Sequence, residues 1–445
     1  MTKTISQDAS SQQRAVLRRT EITLAEETFL TDGFLRQLIN VGEVDILVGL
    51  PTYNNAKTIG AIVNTIQGGI LHWFPRERAV IISADGGSTD GTPDLVTGAS
   101  IDDKRATPNP YALRTLHSIS TQYAGNASSG VALRTILAAA ELLRAKACTV
   151  ISPDSSTMGT EWLAKLLNPI YRDGGDLVTP RYRRHKFEGL LISNLLYPMV
   201  RALYGVGIRE AYTAEFAFSG RLGSQFLAQN VWNDGTGGTG VQLRFALAAI
   251  TGGCRISESF LGDKEHVERS PADLVAALRE TVGTLFSSLQ PDFGFWSAAP
   301  RATPVTAGDA GDKVRLEPVQ VNRERLREMF STGVAELESV FRSILAPPTL
   351  AELQRIAHLG EAEFRYPAAL WVRTVYEFAA AYQKAVINRD HIIQALAPLF
   401  RGRVFSFLVE NGNSSAGEVE NSIESLCLEF ERQKPYMLEM FKWRE

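Results

Sequence analysis

Residues 80–92 read Val-Ile-Ile-Ser-Ala-Asp-Gly-Gly-Ser-Thr-Asp-Gly-Thr, and the change of character inside this stretch decides the fold. Val80 to Ala84 form an almost continuous small or β-branched run, the pattern of a strand buried on both faces. Asp85 ends the run. Gly86 and Gly87 then allow the backbone to approach a ligand closely. Ser88, Thr89 and Asp90 are residues that cap helices, and helix-like sequence follows over 91–96. An aspartate leaving a strand in this way can accept from the N–H of a pyrimidine or guanine base. Taken alone, the string serves equally well as a capped β–α turn.

The same alternation recurs on both sides. Val44-Asp-Ile-Leu-Val-Gly-Leu-Pro-Thr-Tyr-Asn-Asn55 is a second apolar run, stopped at Pro51 and followed by a helical pattern from about Thr58. A third strand is expected near Ala112 to Ile119, a helix over Gly130 to Arg144, and a fourth strand over Cys148 to Ser152. Strands alternating with helices predict an α/β fold with a mostly parallel sheet. Polar residues gather just after three strands, at Thr52–Asn54, Asp85–Ser88 and Asp154–Thr157, and open sheets of this class bind ligands at those carboxyl ends. Residues 1–43 are polar and then helical in pattern, with Leu30, Phe34, Leu35, Leu38 and Ile39 on one face. Residues 44–270 are expected to form the α/β domain. Helical periodicity then dominates 271–445, over 273–289, 324–344, 350–356, 371–400 and 422–441, with a Gly/Pro/Ala-rich loop at 293–314. This predicts an all-α C-terminal extension.

Composition sets outer bounds. The chain has 445 residues, 44% hydrophobic and 21% charged, which is ordinary globular usage. A net charge of −3 gives no footprint for a nucleic-acid partner. The three cysteines, Cys148, Cys254 and Cys427, have no metal-site or disulfide spacing, so a reducing cytoplasm is the plain expectation. The N-terminus has no apolar signal core. The most apolar stretch, Leu190 to Ile208, carries Asn194, Pro198 and Arg201, so a buried or interfacial helix is expected there and no transmembrane segment. Apolar faces in the helical tail make a homodimer an expectation.

The pair Gly49-Leu-Pro-Thr-Tyr-Asn-Asn55 and Ala84-Asp-Gly-Gly-Ser-Thr-Asp-Gly-Thr92 resembles the nucleotide-sugar half of GT-A fold glycosyltransferases, a Rossmann-like architecture, over roughly residues 45–269. The resemblance implies a nucleotide-sugar donor, a UDP- or GDP-hexose. It places Pro51, Thr52, Tyr53, Asn54, Asp85 and Gly86 around the nucleoside. The landmark Gly-Lys-Gly-x-Ala-x-Arg reads Ser128-Ser-Gly-Val-Ala-Leu-Arg134 here. Ser129 and Gly130 fall beside the diphosphate, and serine stands where lysine is usual. The Asp-x-Asp metal motif, counted back from Glu161-Trp-Leu163, reads Ser152-Pro153-Asp154. Ser152 and Pro153 then flank the donor, and Asp154 holds the last acidic position. Mg2+ is often held by one or two carboxylates plus phosphates and waters, so one aspartate suffices with help.

A narrower likeness supplies the helper. Gly238-Thr-Gly-Val-Gln-Leu-Arg-Phe-Ala-Leu247 followed by Leu261-Gly-Asp-Lys-Glu-His266 resembles the retaining synthases that make glucosyl-3-phosphoglycerate, mannosylglycerate and glucosylglycerate. In that group a histidine completes the metal site, which implies Asp154 and His266 as ligands for Mg2+ or Mn2+. A basic loop, Thr179-Pro-Arg-Tyr-Arg-Arg-His-Lys186, would place Tyr182, Arg183 and Arg184 near the anionic group of a small carboxylate acceptor. Glu215 would hold acceptor hydroxyls or serve as a structural carboxylate. If a general base is needed, Glu215 and Asp234 are the candidates. The rivals are a transferase acting on a glycan, lipid or protein acceptor, and a sugar-nucleotide-binding protein without catalysis.

Overall fold

The structure is a computed structural model, and it describes residues 30–99, 116–123, 127–232, 240–263, 273–304 and 322–442. The chain enters through α1 (Asp32–Val41), capped by the Thr31 hydroxyl and seated on Phe34, Leu38 and Val41. Four strand–helix units follow: β1 (Ile46–Thr52), α2 (Ile59–Trp73), β2 (Ala79–Asp85), α3 (Thr92–Thr97), β3 (His117–Gln122), α4 (Ser129–Leu142), β4 (Ala147–Val150) and α5 (Glu161–Tyr171). β5 (Leu177–Arg183) comes next. A π-helical turn, Ile192–Leu196, then leads into α6 (Tyr197–Tyr204), followed by β6 (Phe216–Ser219), α7 (Gly220–Leu227), α8 (Val241–Thr251) and β7 (Ile256–Asp263).

The seven strands make one sheet in the order β3-β2-β1-β4-β6-β5-β7. β1 runs parallel to β2 and β4, β2 parallel to β3, and β5 parallel to β7; only β6 is antiparallel to its neighbours. Both faces are covered, which explains the uninterrupted apolar runs. Ile46, Val48 and Leu50 of β1 join Ile62, Ile66 and Trp162 on one face. Leu47 and Val80 point to the other face, with Ile136 and Leu137 of α4.

That second face continues without a break into the C-terminal helices, where Met199 and Leu203 of α6 share a core with Trp371, Phe400 and Phe430. The helices are α9 (Asp273–Leu278), α10 (Thr284–Leu289), α11 (Phe293–Trp296), α12 (Arg323–Glu336), α13 (Glu338–Ile344), α14 (Pro347–Ala357), α15 (Ala368–Lys384), α16 (Arg389–Glu410) and α17 (Ala416–Lys442). The Trp371 indole donates to the Asn194 carbonyl at 2.7 Å, joining extension to sheet domain. α16 is long and apolar enough to cross a membrane by length and composition, but its apolar window is 78% buried among the other helices.

Several sequence expectations shift in detail. The segment read as a basic loop from Thr179 is strand as far as Arg183, paired with β7 across a register shift between Arg181 and Tyr182. The expected helix over 371–400 is two helices, because Ala385 turns left-handed (φ 47°) after α15. The loop expected over 293–314 opens with the short α11. Residues 112–115 of the expected third strand lie outside the described residues.

Candidate active site

The carboxyl ends of β1 and β2 are laced together by side chains. Asp85, 2% exposed, is the hub. Its Oδ1 accepts from the Thr52 hydroxyl (2.9 Å) and the Ser88 hydroxyl (2.6 Å), and its Oδ2 accepts from the backbone N–H groups of Gly87 (2.9 Å) and Ser88 (2.8 Å). Gly87 sits at φ +92°, which favours glycine. The β1 exit is tied on from the other side. The Asn54 amide N–H donates to Ser88 Oγ at 2.8 Å, and the Asn54 side-chain oxygen accepts from the Thr89 N–H at 3.0 Å. Asp90 accepts from the Ala56 N–H and from Thr92, and these hydrogen bonds, the Thr92 hydroxyl first, hold its carboxyl below the usual range. Asp85, Asn54 and Asp90 therefore build the turn.

A cavity of about 380 Å3 opens beside this turn. Pro51, Thr52, Tyr53 and Asn55 bring the β1 end to it, and Ser152, Pro153 and Asp154 bring the β4 end. Ser128 and Ser129 bring the N-terminus of α4, while Ala132, Leu133, Ile136 and Phe216 give it an apolar wall. The Ser128 hydroxyl caps α4 by accepting from the Gly130 N–H at 3.2 Å. Tyr123 closes the side, its phenol oxygen accepting from the Ser128 N–H at 3.0 Å. Gly86 is glycine for a steric reason: a Cβ there would meet Ala127 Cβ at 2.8 Å and the Tyr123 hydroxyl at 2.9 Å.

Asp154 is exposed and is aimed by two neighbours. Its Oδ1 accepts from the Asn55 amide (2.9 Å) and the Thr58 hydroxyl (3.2 Å), and among the described residues its Oδ2 accepts nothing. No group of three His, Cys, Asp or Glu side chains gathers there among the described residues. His266 and Asp234 lie outside the described residues.

The residues expected on the acceptor side are already partnered. Glu215, 1% exposed, accepts from the Ser155 hydroxyl and from the Tyr182 hydroxyl, the latter at 2.9 Å. Burial, and then the Glu215 carboxylate, push the Tyr182 phenol far above its ordinary value. Arg184 donates from Nε and Nη2 to Glu210 Oε1 at 3.0 and 2.9 Å and lies over the Tyr182 ring at 5.4 Å. Arg183 pairs with Asp263 at the end of β7.

The structure thus brings Pro51, Thr52, Tyr53, Ser129, Ser152, Pro153 and Asp154 to one cavity. Asn54, Asp85, Gly86 and Gly130 support its walls, Tyr182, Arg184 and Glu215 form a network beside it, and Arg183 pairs with Asp263. Sequence reasoning missed Asn55 and Thr58 as the groups that aim Asp154, although Asn55 stood in the quoted β1 string. It also missed Tyr123 and Gln242, which line the cavity. Nothing in the local sequence singles out Tyr123. The Gln242 amide oxygen is buried with no partner among the described residues.

No protein-family model matches the chain, and no curated protein matches it. Solved structures do show similarity. Glucosyl-3-phosphoglycerate synthase from Mycobacterium tuberculosis, in complex with Mn2+, UDP and phosphoglyceric acid, is 21% identical over 58% of this chain and 82% of its own, with a TM-score of 0.41. The same enzyme with Mg2+ and UDP is 20% identical over 58% and 83%, with a TM-score of 0.40. Mannosyl-3-phosphoglycerate synthase from Rubrobacter xylanophilus is 16% identical over 59% and 79%, with a TM-score of 0.39.

Proposed function

We propose that the protein transfers a hexose from a nucleotide diphosphate sugar to a small acidic acceptor such as D-glycerate or 3-phosphoglycerate, with retention at the anomeric carbon and dependence on Mg2+ or Mn2+. The observation that carries this reading is the convergence of the β1 and β4 carboxyl ends and the α4 N-terminus on one cavity whose wall holds a half-engaged carboxylate, Asp154.

Each part has a chemical use. The N-terminus of α4 offers backbone N–H groups and the positive end of a helix dipole to a diphosphate, in the place where lysine is replaced by Ser129. Tyr53, half exposed at the cavity, offers an aromatic face to a nucleobase. Asp154 Oδ2, which accepts from no described residue, is a hard oxygen donor that suits Mg2+ or Mn2+, and an imidazole from His266 suits Mn2+. Asp154 and His266 would hold the ion, which when bound would neutralise charge on the leaving diphosphate. Asn55 and Thr58 fix the rotamer of Asp154 beforehand. With retention, the leaving diphosphate oxygen takes the acceptor proton and no protein base is required. Glu215, bound by Ser155 and Tyr182, then serves to hold the loop that carries Asp154.

The test is a matrix of UDP- and GDP-sugars against D-glycerate and 3-phosphoglycerate, in Mg2+, Mn2+ or chelator. Metal-dependent release of nucleoside diphosphate that requires one small acid, and its loss in Asp154→Ala, is the expected result. Metal-dependent donor binding with no small-acid turnover would refute the acceptor and favour a glycan, lipid or protein in its place. Donor binding that ignores both metal and Asp154→Ala would refute the catalytic reading.

A further inference from the structure

Lys186 follows Arg184 by two residues in the segment that leaves β5, where an anion-binding role would be the obvious assignment for it. Its ammonium is committed elsewhere. It donates to the carbonyls of Asn411 (3.1 Å), Gly412 (2.8 Å) and Ser414 (2.9 Å), all in the corner between α16 and α17. An ammonium has three N–H donors, so this corner takes the full set. Beside it, Phe187 and Leu190 pack on Phe407 of α16 and on Val419, Ile423 and Cys427 of α17.

The other end of the same segment is gripped as well. Arg184 is held by Glu210, and the adjacent Arg209 reaches Glu420 of α17 at 3.0 Å. From Arg184 the contacts continue inward. The Tyr182 ring lies under the guanidinium, the Tyr182 hydroxyl donates to Glu215, and Glu215 accepts from Ser155, the residue after Asp154. The C-terminal helices therefore bear on both flanks of the Arg184–Glu210 pair, and that pair connects through Tyr182 and Glu215 to Ser155, next to Asp154 of the cavity lining.

We infer that Lys186 is a positioning residue through which the α16–α17 corner holds the basic segment after β5 in the geometry that receives an anionic acceptor. This assigns the extension a part in the acceptor side of the site, and it rests on the proposed function for the nature of that acceptor. A strut of this kind lowers the cost of ordering the segment on binding. The donor side is reached only at the far end of that chain, at Ser155, because the described hydrogen bonds of Lys186 go to the corner and none goes to β1, β4 or α4.

The test uses the full chain with Lys186→Met and Lys186→Arg, read by amide hydrogen exchange and by steady-state kinetics. In Lys186→Met, amides over 184–191 should exchange about tenfold faster, since local exchange tracks local opening. Exchange in β1, β2 and β4 should be unchanged, and UDP or GDP binding with Mn2+ should stay within about twofold. The acceptor KM should rise about tenfold with kcat within about twofold, the split expected for lost binding rather than lost chemistry. Lys186→Arg, which keeps the charge and several donors, should recover part of both effects. Unchanged exchange over 184–191, or faster exchange throughout the chain, would overturn the strut. Faster local exchange with an unaltered acceptor KM would overturn its bearing on the acceptor. If the wild-type protein turns over no small acid, the proposed function fails, while the exchange arm still decides whether Lys186 holds the segment.

Discussion

Asp85 is the residue for which motif and geometry assign different work, and its removal separates them. The motif places it at the nucleoside. The structure shows four donors converging on its carboxylate: two hydroxyls on Oδ1 and two backbone amides on Oδ2. The hydroxyls have alternatives, since Thr52 also bonds Ser83 at 2.8 Å and the half-buried Ser88 hydroxyl can turn to water. The amides of Gly87 and Ser88 have none among the described hydrogen bonds. Each is half-buried, so its loss falls near the lower end of the ~1–3 kcal/mol that an orphaned donor costs. Asp85→Ala should therefore destabilise the protein by about 2–3 kcal/mol. In Asp85→Asn the amide oxygen can face the backbone donors while its NH2 meets hydroxyls that rotate to accept, so the cost should be about 1 kcal/mol. Urea denaturation followed by tryptophan fluorescence measures both. Calorimetric titration of UDP and GDP with Mn2+ gives the second axis, and on the turn-building view Asp85→Asn keeps binding within about threefold. If Asp85→Ala unfolds like the wild type, or Asp85→Asn is stable yet loses about tenfold or more in affinity, the carboxylate reads the ligand and the argument from its four donors is wrong.

Two further outcomes follow from single contacts. Gly86→Ala places a Cβ 2.8 Å from Ala127 Cβ and 2.9 Å from the Tyr123 hydroxyl, so it should displace Tyr123 from Ser128 at an overpacking cost of about 1–3 kcal/mol, with weaker nucleotide binding seen in the same titration. Asp292 has its carboxyl pushed up by burial, against a hydrogen bond from the Tyr204 hydroxyl at 2.8 Å. A carboxyl whose folded pKa exceeds its unfolded value, about 3.9, stabilises fully below that value and loses this contribution as pH rises through the folded pKa. Thermal midpoints from about pH 3.5 to pH 7 should therefore show the wild type losing stability relative to Asp292→Asn as pH rises, and an unchanged difference would refute the assignment.

Much of the sheet domain is legible locally, because its strands are buried on both faces and announce themselves as apolar runs. β1, β2 and the helix after each of them fall within a few residues of expectation. The misses have physical causes. Thr179-Pro-Arg-Tyr-Arg183 reads as loop by charge and proline, yet it is strand. Past Val178 the β6 side of β5 is unpaired, so a residue without an N–H is tolerated and the arginines have room to leave the sheet. The split of 371–400 into α15 and α16 has no glycine or proline to mark it. Ala385 adopts the left-handed conformation itself, with its N–H bonded back into the last turn of α15.

The division of labour among the acidic residues is less legible still, and the reason is general to sites of this kind. Asp85 and Asp154 each follow a buried strand, each precedes a serine-rich turn, and local sequence gives both the same range of roles. What separates them is who reaches them. Asp85 is closed in from both sides by Thr52 and by its own turn, so both oxygens are spent. Among the described residues Asp154 is met on one oxygen, by Asn55 and Thr58, which come from a segment about a hundred residues earlier in the chain. Glu215 is the third case: its neighbours Ala214 and Phe216 line the cavity, but its own side chain turns the other way onto Ser155 and Tyr182. A carboxylate is available for chemistry when the fold leaves one of its lone pairs unclaimed. That is a property of distant partners, so the motif could supply the candidates while only the packing of β1 against β4 could choose Asp154 among them.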